Sequence, residues 1–354
     1  MHHLLGDLWR CGAGLAEPLI DGRDPHRLLA AAGAAAERAA ASSVAGPCHA
    51  DPARDALDQR ARVLLRDLAL ALRGQQFRVV YQPIVDLTTG QVTGLEALLR
   101  WCHPQLGEVS PGEFSGHLER LPQIGEFMQW VLAASLAHIA RWSQALGRPL
   151  RLSVNVPAEV LLDHEFVDFA LSSIAGQAVA AQQLELQLTE RSLANADGPA
   201  VTRLHELREH GVRVAIANFG TGWSNLADLA QLPLDTLKVD SQFTRGVLHS
   251  RADAALSRVA VELARGLGLR CVAEGVETPE QLRFFADLAC DEGQGHLFSG
   301  PLEVAAVDRL MAHAQALPHA ALSASGGTAT PVPAQPQPQP QPHSQEETPL
   351  PCLP

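Results

Sequence analysis

Short apolar segments of strand length alternate with longer amphipathic segments through most of this chain, and this alternation restricts the fold more than any other sequence feature. A turn at 88–90 separates strand-like segments at 78–87 and 92–101, which predicts a hairpin. Further strands are predicted at 150–156, 184–189, 212–217, 236–239, 270–274 and near Gly295. Roughly eight strands in about 240 residues match the size of a (β/α)8 barrel. We therefore predict an α/β fold, a TIM-like barrel, over residues 77–316.

Polar residues stand where several of these apolar strands end. They are Asn155, Asn218, Lys238, Asp240 and Glu274. In barrels of this type the carboxyl ends of the strands meet on one face, and that face carries the chemistry. A buried structural role would explain any one of these residues, but polar ends on several strands favour a site. The sequence therefore predicts a functional pocket at this end of the barrel.

The charge of the chain restricts its partners. The net charge is −12, and of the 27 residues that are Lys or Arg only Lys238 is lysine. Because binding to a nucleic-acid backbone needs clustered Lys and Arg, DNA is not expected as a partner. An anionic ligand would need a local pocket instead. The single lysine has two interpretations, a genome that favours Arg or a position that requires a compact ammonium, which Arg cannot replace.

Cysteine use and hydropathy indicate the compartment. The six cysteines are scattered without a C-x-x-C pair, which in a chain of 354 residues indicates reduced thiols that serve in packing. No apolar run approaches the ~20 residues of a membrane helix. The start at Met1 lacks a basic region followed by an apolar one. We expect a cytoplasmic chain with no membrane partner.

Seven motifs are specific enough to indicate a family. They are YQPIV at 81–85, LEALLRW at 95–101, SVN at 153–155, FGTG at 219–222, LKVD at 237–240, AEGVE at 273–277 and QGHLF at 294–298. In order and spacing these motifs resemble the EAL-domain family of cyclic di-GMP phosphodiesterases, whose signature is intact at 96–98. The resemblance implies a TIM-like barrel with an antiparallel first strand. It also implies hydrolysis of cyclic di-GMP to linear pGpG with two divalent metals, usually Mg²⁺ or Mn²⁺.

The resemblance also implies site residues, position by position. It makes Glu96 and Asn155 metal ligands. Lys238, beside the metal-bound water, and Glu274 would be catalytic residues, and Glu190 would support the FGTG loop. Ligand contacts are implied for Gln82, Leu98, Arg100, Asp240, Glu277, Gln294 and Pro301. Since the only lysine falls on the family's catalytic lysine, chance is a poor explanation of it.

Three positions depart from the family's metal-binding pattern. Gln187 replaces a glutamate, and Ala217 and Asn218 replace paired aspartates. Of the carboxylates expected at these positions and at 96, only Glu96 remains. Amides are poor ligands for hard divalent cations, and alanine offers no ligand. We therefore expect neither a metal cofactor nor hydrolysis at a useful rate, and Gln187 and Asn218 would donate hydrogen bonds to phosphate instead.

These departures predict a catalytically inactive receptor that binds cyclic di-GMP without metal and passes the signal to a protein partner. The loss of three negative charges would relieve the repulsion of a dianionic ligand. Two alternatives stay open. In one, the chain is an active phosphodiesterase that uses Mg²⁺ or Mn²⁺. In the other, it is an adaptor that binds no ligand and offers the barrel as a protein-binding surface.

The two ends of the chain are predicted to lie outside the barrel. Residues 1–50 resemble the closing strand, loop and last helix of a GGDEF domain, or are an Ala-rich helical segment. A linker helix is expected within 51–76, and it would either form a homodimer or cap the barrel. Its apolar side would contain Leu57, Leu64, Leu65, Leu68 and Leu72. The Gln-Pro repeat within 317–354 predicts a disordered tail.

Overall fold

The structure is a computed structural model, and it describes residues 14–16, 25–41, 48–177, 179–190, 192, 198–221, 229, 231–313 and 317–319. Two compact units divide the chain. The first comprises Met1–Gly74 and Gly112–His117, and the second comprises Gln75–Pro111 and Leu118–Pro354. Residues 1–13 and the predicted tail beyond 319 lie outside the described residues. The domain boundaries expected near 50, 76 and 316 stay predictions.

The first unit contains a short parallel strand pair and two helices. Strands β1 (Gly14–Leu15) and β2 (Cys48–His49) pair with each other, and helix α1 (Pro25–Ala41) connects them in sequence. Helix α2 (Pro52–Arg73) follows. Helix α1 lies within the segment 1–50, and helix α2 lies within 51–76, where a linker helix was expected. The resemblance of residues 1–50 to a GGDEF domain stays a prediction.

The predicted apolar side of α2 is buried only in part. Leu64, Leu68 and Ala71 are buried, whereas Leu57 is 64% exposed and Leu65 47% exposed. Positions 64, 68 and 71 repeat at the spacing of one helical face, and Leu65 lies about 100° around the helix from Leu64. Leu64 and Leu68 therefore lie on the buried face of α2, whereas Leu57 and Leu65 are exposed.

The second unit is a closed eight-stranded barrel with one additional strand. Its strands are β3 (Phe77–Asp86), β4 (Val92–His103), β5 (Gly107–Val109), β6 (Arg151–Asn155), β7 (Leu184–Thr189), β8 (Arg213–Phe219), β9 (Thr236–Val239), β10 (Arg270–Glu274) and β11 (Glu292–Gln294). They pair in the order β3–β11–β10–β9–β8–β7–β6–β4, and β3 also pairs with β4, which closes the barrel. β5 is the additional strand, and it pairs antiparallel with the last three residues of β4.

The first barrel strand runs against its neighbours. β3 is antiparallel to both β4 and β11, and the other barrel pairs are parallel. A short turn between β3 and β4 joins antiparallel strands only, whereas the later strands follow longer crossovers. The predicted TIM-like barrel with an antiparallel first strand is confirmed.

Helices follow most barrel strands. They are α3 (Pro111–Leu118), α4 (Ile124–Leu146), α5 (His164–Gly176), α6 (Gly198–Glu209), α7 (Ser241–Gly246), α8 (Arg251–Gly266), α9 (Pro279–Asp287) and α10 (Val304–His313), with 3₁₀ turns at Ala158–Leu162 and Ala181–Gln183. Local sequence sets their ends. Thr278 caps α9 by accepting a hydrogen bond from Gln281 N, and α4 ends at Gly147, whose φ of 65° suits glycine.

Buried charges fill the amino end of the barrel. Arg151, Glu185, Thr236 and Glu292, the amino-end cluster, lie at the starts of four strands and are each at most 5% exposed. Arg151 Nε lies 3.4 Å from Glu185 Oε1, and Arg151 also pairs with Glu292. Thr236 Oγ1 donates to Glu185 Oε2 at 2.6 Å. Burial lowers the pKa of Arg151, but the two glutamates outweigh it and raise that pKa. Arg151 therefore stays charged, and the cluster occupies the barrel end opposite the predicted site.

Four of the six cysteines belong to the described residues. Cys48, Cys102, Cys271 and Cys290 are free thiols, and the last two are buried. Cys11 and Cys352 lie outside the described residues. Within the described ranges, no helix is both long enough and apolar enough to cross a membrane.

Candidate functional site

The carboxyl ends of the barrel strands bring the predicted site residues together. Six of them are Glu96 on β4, Asn155 on β6, Gln187 on β7, Lys238 on β9, Glu274 on β10 and Gln294 on β11. The register of the parallel strands places Asn155 beside Gln187 and Ser153 beside Glu96. Gln82 lies opposite Glu96 in the β3–β4 hairpin. Residues that are far apart in sequence thus form one cluster at this end of the barrel.

The ammonium of Lys238 is the centre of this cluster. Its side chain is 0% exposed, and Nζ lies 2.7 Å from Glu96 Oε2, 2.8 Å from Glu274 Oε1 and 2.8 Å from Gln187 Oε1. Three acceptors match the three N–H bonds of an ammonium. Burial lowers the pKa of Lys238, but the charges of Glu274 and Glu96 outweigh it and raise that pKa. Lys238 is therefore a charged, fully paired group.

Glu96 accepts hydrogen bonds from three side chains. Besides Lys238, Asn155 Nδ2 donates to Oε1 at 2.8 Å and Gln294 Nε2 donates to Oε2 at 2.9 Å. Burial raises the pKa of Glu96, but Lys238 and these amides together lower it below its usual value. Gln294 Nε2 also donates to Gln82 Oε1 at 3.1 Å. Gln294 Oε1 is buried and accepts no hydrogen bond from the described residues.

Glu274 is the second carboxylate on Lys238. Burial raises its pKa, and the charges of Glu96 and Asp240 add to this effect, whereas Lys238 opposes it. Its side chain keeps 17% exposure, compared with 7% for Glu96. The two carboxylates on one ammonium therefore differ, since the pKa of Glu96 is lowered and that of Glu274 is raised.

The orientation of the Gln187 amide is fixed by its neighbours. Gln187 Oε1 accepts from Lys238 Nζ at 2.8 Å and from Ser153 Oγ at 3.0 Å. Because an ammonium has no acceptor, the atom that faces it has to be the amide oxygen. The NH₂ group of Gln187 consequently points away from Lys238. Gln187 thus contributes one acceptor to the lysine and keeps a donor on its other side.

The loop after β8 contacts the residue that follows β7. Gly220 N donates to Glu190 Oε2 at 2.9 Å, and the role of Glu190 as loop support stays a prediction. Gly220 has φ of 97°, and a Cβ there would lie 2.6 Å from the Phe243 ring, so the position requires glycine. Ala217 is buried and Asn218 has φ of 55°. Residues 222–228 lie outside the described residues.

The remaining predicted ligand contacts lie on the rim. Arg100 is half-buried and donates to Leu99 O at 2.8 Å. Asp240 caps α7 by accepting from Gln242 N at 2.7 Å, so one of its oxygens already has a structural partner. Leu98 lies on β4, and Glu277 and Pro301 lie in the segments after β10 and β11. Their contacts with ligand stay predictions.

The donor set does not fit a pair of divalent cations. Two-metal sites need several carboxylates around ions about 4 Å apart. Here positions 187, 217 and 218 are Gln, Ala and Asn, so only Glu96 remains of the expected carboxylates. In the described ranges, no group of three or more His, Cys, Asp and Glu side chains could hold a metal ion.

Sequence reasoning missed three residues near the site. Ser153 fixes the Gln187 amide, and Arg78 and Glu108 lie near Arg100 on the rim. Ser153 has a signal, since it lies two residues before Asn155 on the same strand face. No sequence signal indicated Glu108, because β5 is only three residues long and was not predicted as a strand.

Comparison with known proteins shows the family. A family model described as "EAL domain" matches residues 65–301, which is more than half of the chain. The chain therefore belongs to the EAL-domain family, as its motifs indicated.

Several relatives are named as cyclic di-GMP phosphodiesterases. "Cyclic di-GMP phosphodiesterase PA2567" of Pseudomonas aeruginosa is 39% identical over 293 residues, covering 81% of this chain and 49% of the relative. The chain thus spans about half the length of that relative. A solved structure, "PaMucR Phosphodiesterase, c-di-GMP complex", is 34% identical with a TM-score of 0.65 and covers 69% of this chain and 99% of that chain.

A second solved structure contains a metal. "Klebsiella pneumoniae BlrP1 pH 6 manganese/cy-diGMP complex" is 26% identical with a TM-score of 0.57, covering 65% of this chain and 56% of that chain. The names of these relatives favour the phosphodiesterase alternative more directly than a receptor without activity.

Proposed function

We propose that this chain binds cyclic di-GMP at the carboxyl end of its barrel and does not hydrolyse it at an appreciable rate. Family membership and the relatives described as cyclic di-GMP complexes support the ligand. The amides and the methyl group at positions 187, 217 and 218 are the observation that carries the loss of hydrolysis. They replace three expected carboxylates, and the remaining donor set does not fit two divalent cations.

The charge of the pocket suits an anion without metal ions. In the family pattern, positions 187, 217 and 218 carry three carboxylates, whereas this chain has an amide, a methyl group and an amide. Carboxylates without cations would repel the two phosphodiesters of the ligand. The fixed orientation of Gln187 leaves its NH₂ group as a donor. The NH₂ group of Gln187 can therefore donate a hydrogen bond to a ligand phosphate where the family pattern would place a metal ion.

Gln294 offers a complementary acceptor. Its Nε2 donates to Glu96 and Gln82, and its Oε1 is buried without a donor among the described residues. A buried unpaired acceptor is costly, by about 1–3 kcal/mol, unless a ligand or water satisfies it. The edge of a guanine base carries N–H donors that would do so. This residue supports base binding as well as phosphate binding.

The second candidate function is hydrolysis of cyclic di-GMP to pGpG. It is favoured by the phosphodiesterase names of the relatives and by Glu96, Asn155, Lys238 and Glu274, which match the family pattern at these positions. This candidate requires metal ligands other than the lost carboxylates at positions 187, 217 and 218.

Calorimetry separates these functions. Cyclic di-GMP is titrated into the full chain in EDTA and again in Mn²⁺, and the mixtures are then analysed for pGpG by chromatography. We expect binding in EDTA and no pGpG in Mn²⁺. Turnover in Mn²⁺ would establish the second candidate, and no detectable binding at high micromolar ligand in either buffer would refute both.

A further inference from the structure

Two arginines lie side by side on the rim of the site, above the side chains that surround Lys238. Arg78 on β3 is directly opposite Arg100 on β4, in the same uninterrupted register that pairs Gln82 with Glu96. Because side chains alternate between the two faces of a strand, residues four apart share a face. Gln82 and Glu96 contact the site residue Gln294. Arg78 and Arg100 therefore share the face that bears the site, about 13 Å further along their strands.

Carboxylates hold these arginines. Arg78 Nη2 lies 2.6 Å from Glu108 Oε2, and Arg78 Nε lies 3.0 Å from Glu303 Oε1. Glu108 belongs to β5, and its other oxygen lies 3.9 Å from Arg100 Nε. Glu108 thus lies between two guanidinium groups. Arg78 also donates from Nη1 to Cys102 Sγ at 3.3 Å.

The pairing of Arg78 with Glu108 is exchangeable. Their side chains are 40% and 53% exposed. An ion pair this exposed contributes only about 0–1 kcal/mol to stability. A phosphate accepts paired N–H bonds from a guanidinium in the same geometry as a carboxylate. A ligand phosphate that reaches the rim can therefore take the place of Glu108 with little loss of fold stability.

We infer that Arg78 is a second phosphate-binding residue beside Arg100 and that the bound phosphate displaces Glu108. The inference rests on the proposed binding of cyclic di-GMP. It explains how a dianionic ligand is held in a pocket that does not fit metal ions, since a second guanidinium supplies positive charge at the rim. Neither Arg78 nor Glu108 belongs to the seven family motifs.

Opposite effects of the two partners test this inference. By calorimetry in EDTA, Arg78→Gln is expected to weaken cyclic di-GMP binding about tenfold, the loss of one charge-assisted contact. Glu108→Gln is expected to tighten binding about threefold, because it removes the competing carboxylate. Arg283→Gln and Glu280→Gln are matched controls, since that pair is also 2.6 Å apart with side chains 48% and 55% exposed. Both controls should bind as the unaltered chain does.

A purely structural ion pair predicts that both rim variants weaken binding together or leave it unchanged, and either result would overturn the inference. If Arg78→Gln does not fold, Arg78→Lys keeps the charge without the paired geometry, and its binding should lie below that of the unaltered chain; equal binding would overturn the inference. The unaltered chain is titrated first, because its failure to bind would refute the proposed function itself.

Discussion

Replacement of Lys238 by methionine should destabilise the fold strongly and in a pH-dependent way. The substitution keeps the apolar stem but removes the ammonium that lies 2.7 Å from Glu96 and 2.8 Å from Glu274. An uncompensated buried charge costs about 3–5 kcal/mol. Since Lys238 is 0% exposed and Glu96 only 7% exposed, solvent screening reduces this little. At about 2–4 °C per kcal/mol, the melting temperature should fall by about 6–20 °C at pH 7.

The sign of the pH dependence follows from Glu96. Without Lys238, burial raises the pKa of Glu96 above its value in the unfolded chain. A raised pKa means that the folded state prefers the protonated acid, so the defect is present at neutral pH and shrinks as the pH falls through the raised pKa. Thermal unfolding followed by circular dichroism at pH 7 and pH 5 measures both quantities.

The control for this variant is Arg283→Met, which breaks an exposed pair with Glu280 and should cost less than about 1 kcal/mol at either pH. If Lys238→Met is no less stable than this control, or if its defect stays the same at pH 5, the account of a charged, fully paired lysine is refuted.

Two further predictions concern the cluster at the other end of the barrel and the amide of the site. Arg151→Met should cost about 3–5 kcal/mol in urea unfolding because it leaves Glu185 and Glu292 buried without their partner, and an unchanged midpoint would contradict this. Gln187→Glu should weaken cyclic di-GMP binding in EDTA about tenfold by calorimetry, because a carboxylate replaces the NH₂ group that we propose donates to phosphate. Tighter binding of this variant in EDTA would show that the amide is not a donor to phosphate.

The barrel could be predicted from sequence because its signals are local. The bounds expected at 184–189, 236–239 and 270–274 coincide with β7, β9 and β10. In β7 and β9 apolar residues alternate with polar ones, and β10 has a short apolar run between polar ends. Both patterns are local strand signals. β5 was missed because Gly107–Val109 has no apolar run.

Contacts that depend on strand register could not be predicted. Motif positions indicated that Glu96, Gln187 and Lys238 belong to one site, but not that a single ammonium contacts both of the others. In the amino-end cluster, Arg151 and Glu185 look like ordinary charged residues at strand starts. Their burial follows from closure of the barrel, which brings strands distant in sequence together.

Chromatographic detection of pGpG from the triple variant Gln187→Glu, Ala217→Asp and Asn218→Asp in Mn²⁺ tests the central claim most directly. The claim is that these three positions separate binding from hydrolysis in this chain. Because Glu96, Asn155 and Lys238 are retained, the triple variant should form pGpG while the unaltered chain forms none. Turnover by the unaltered chain, or an inactive triple variant that folds and binds Mn²⁺, would contradict the claim.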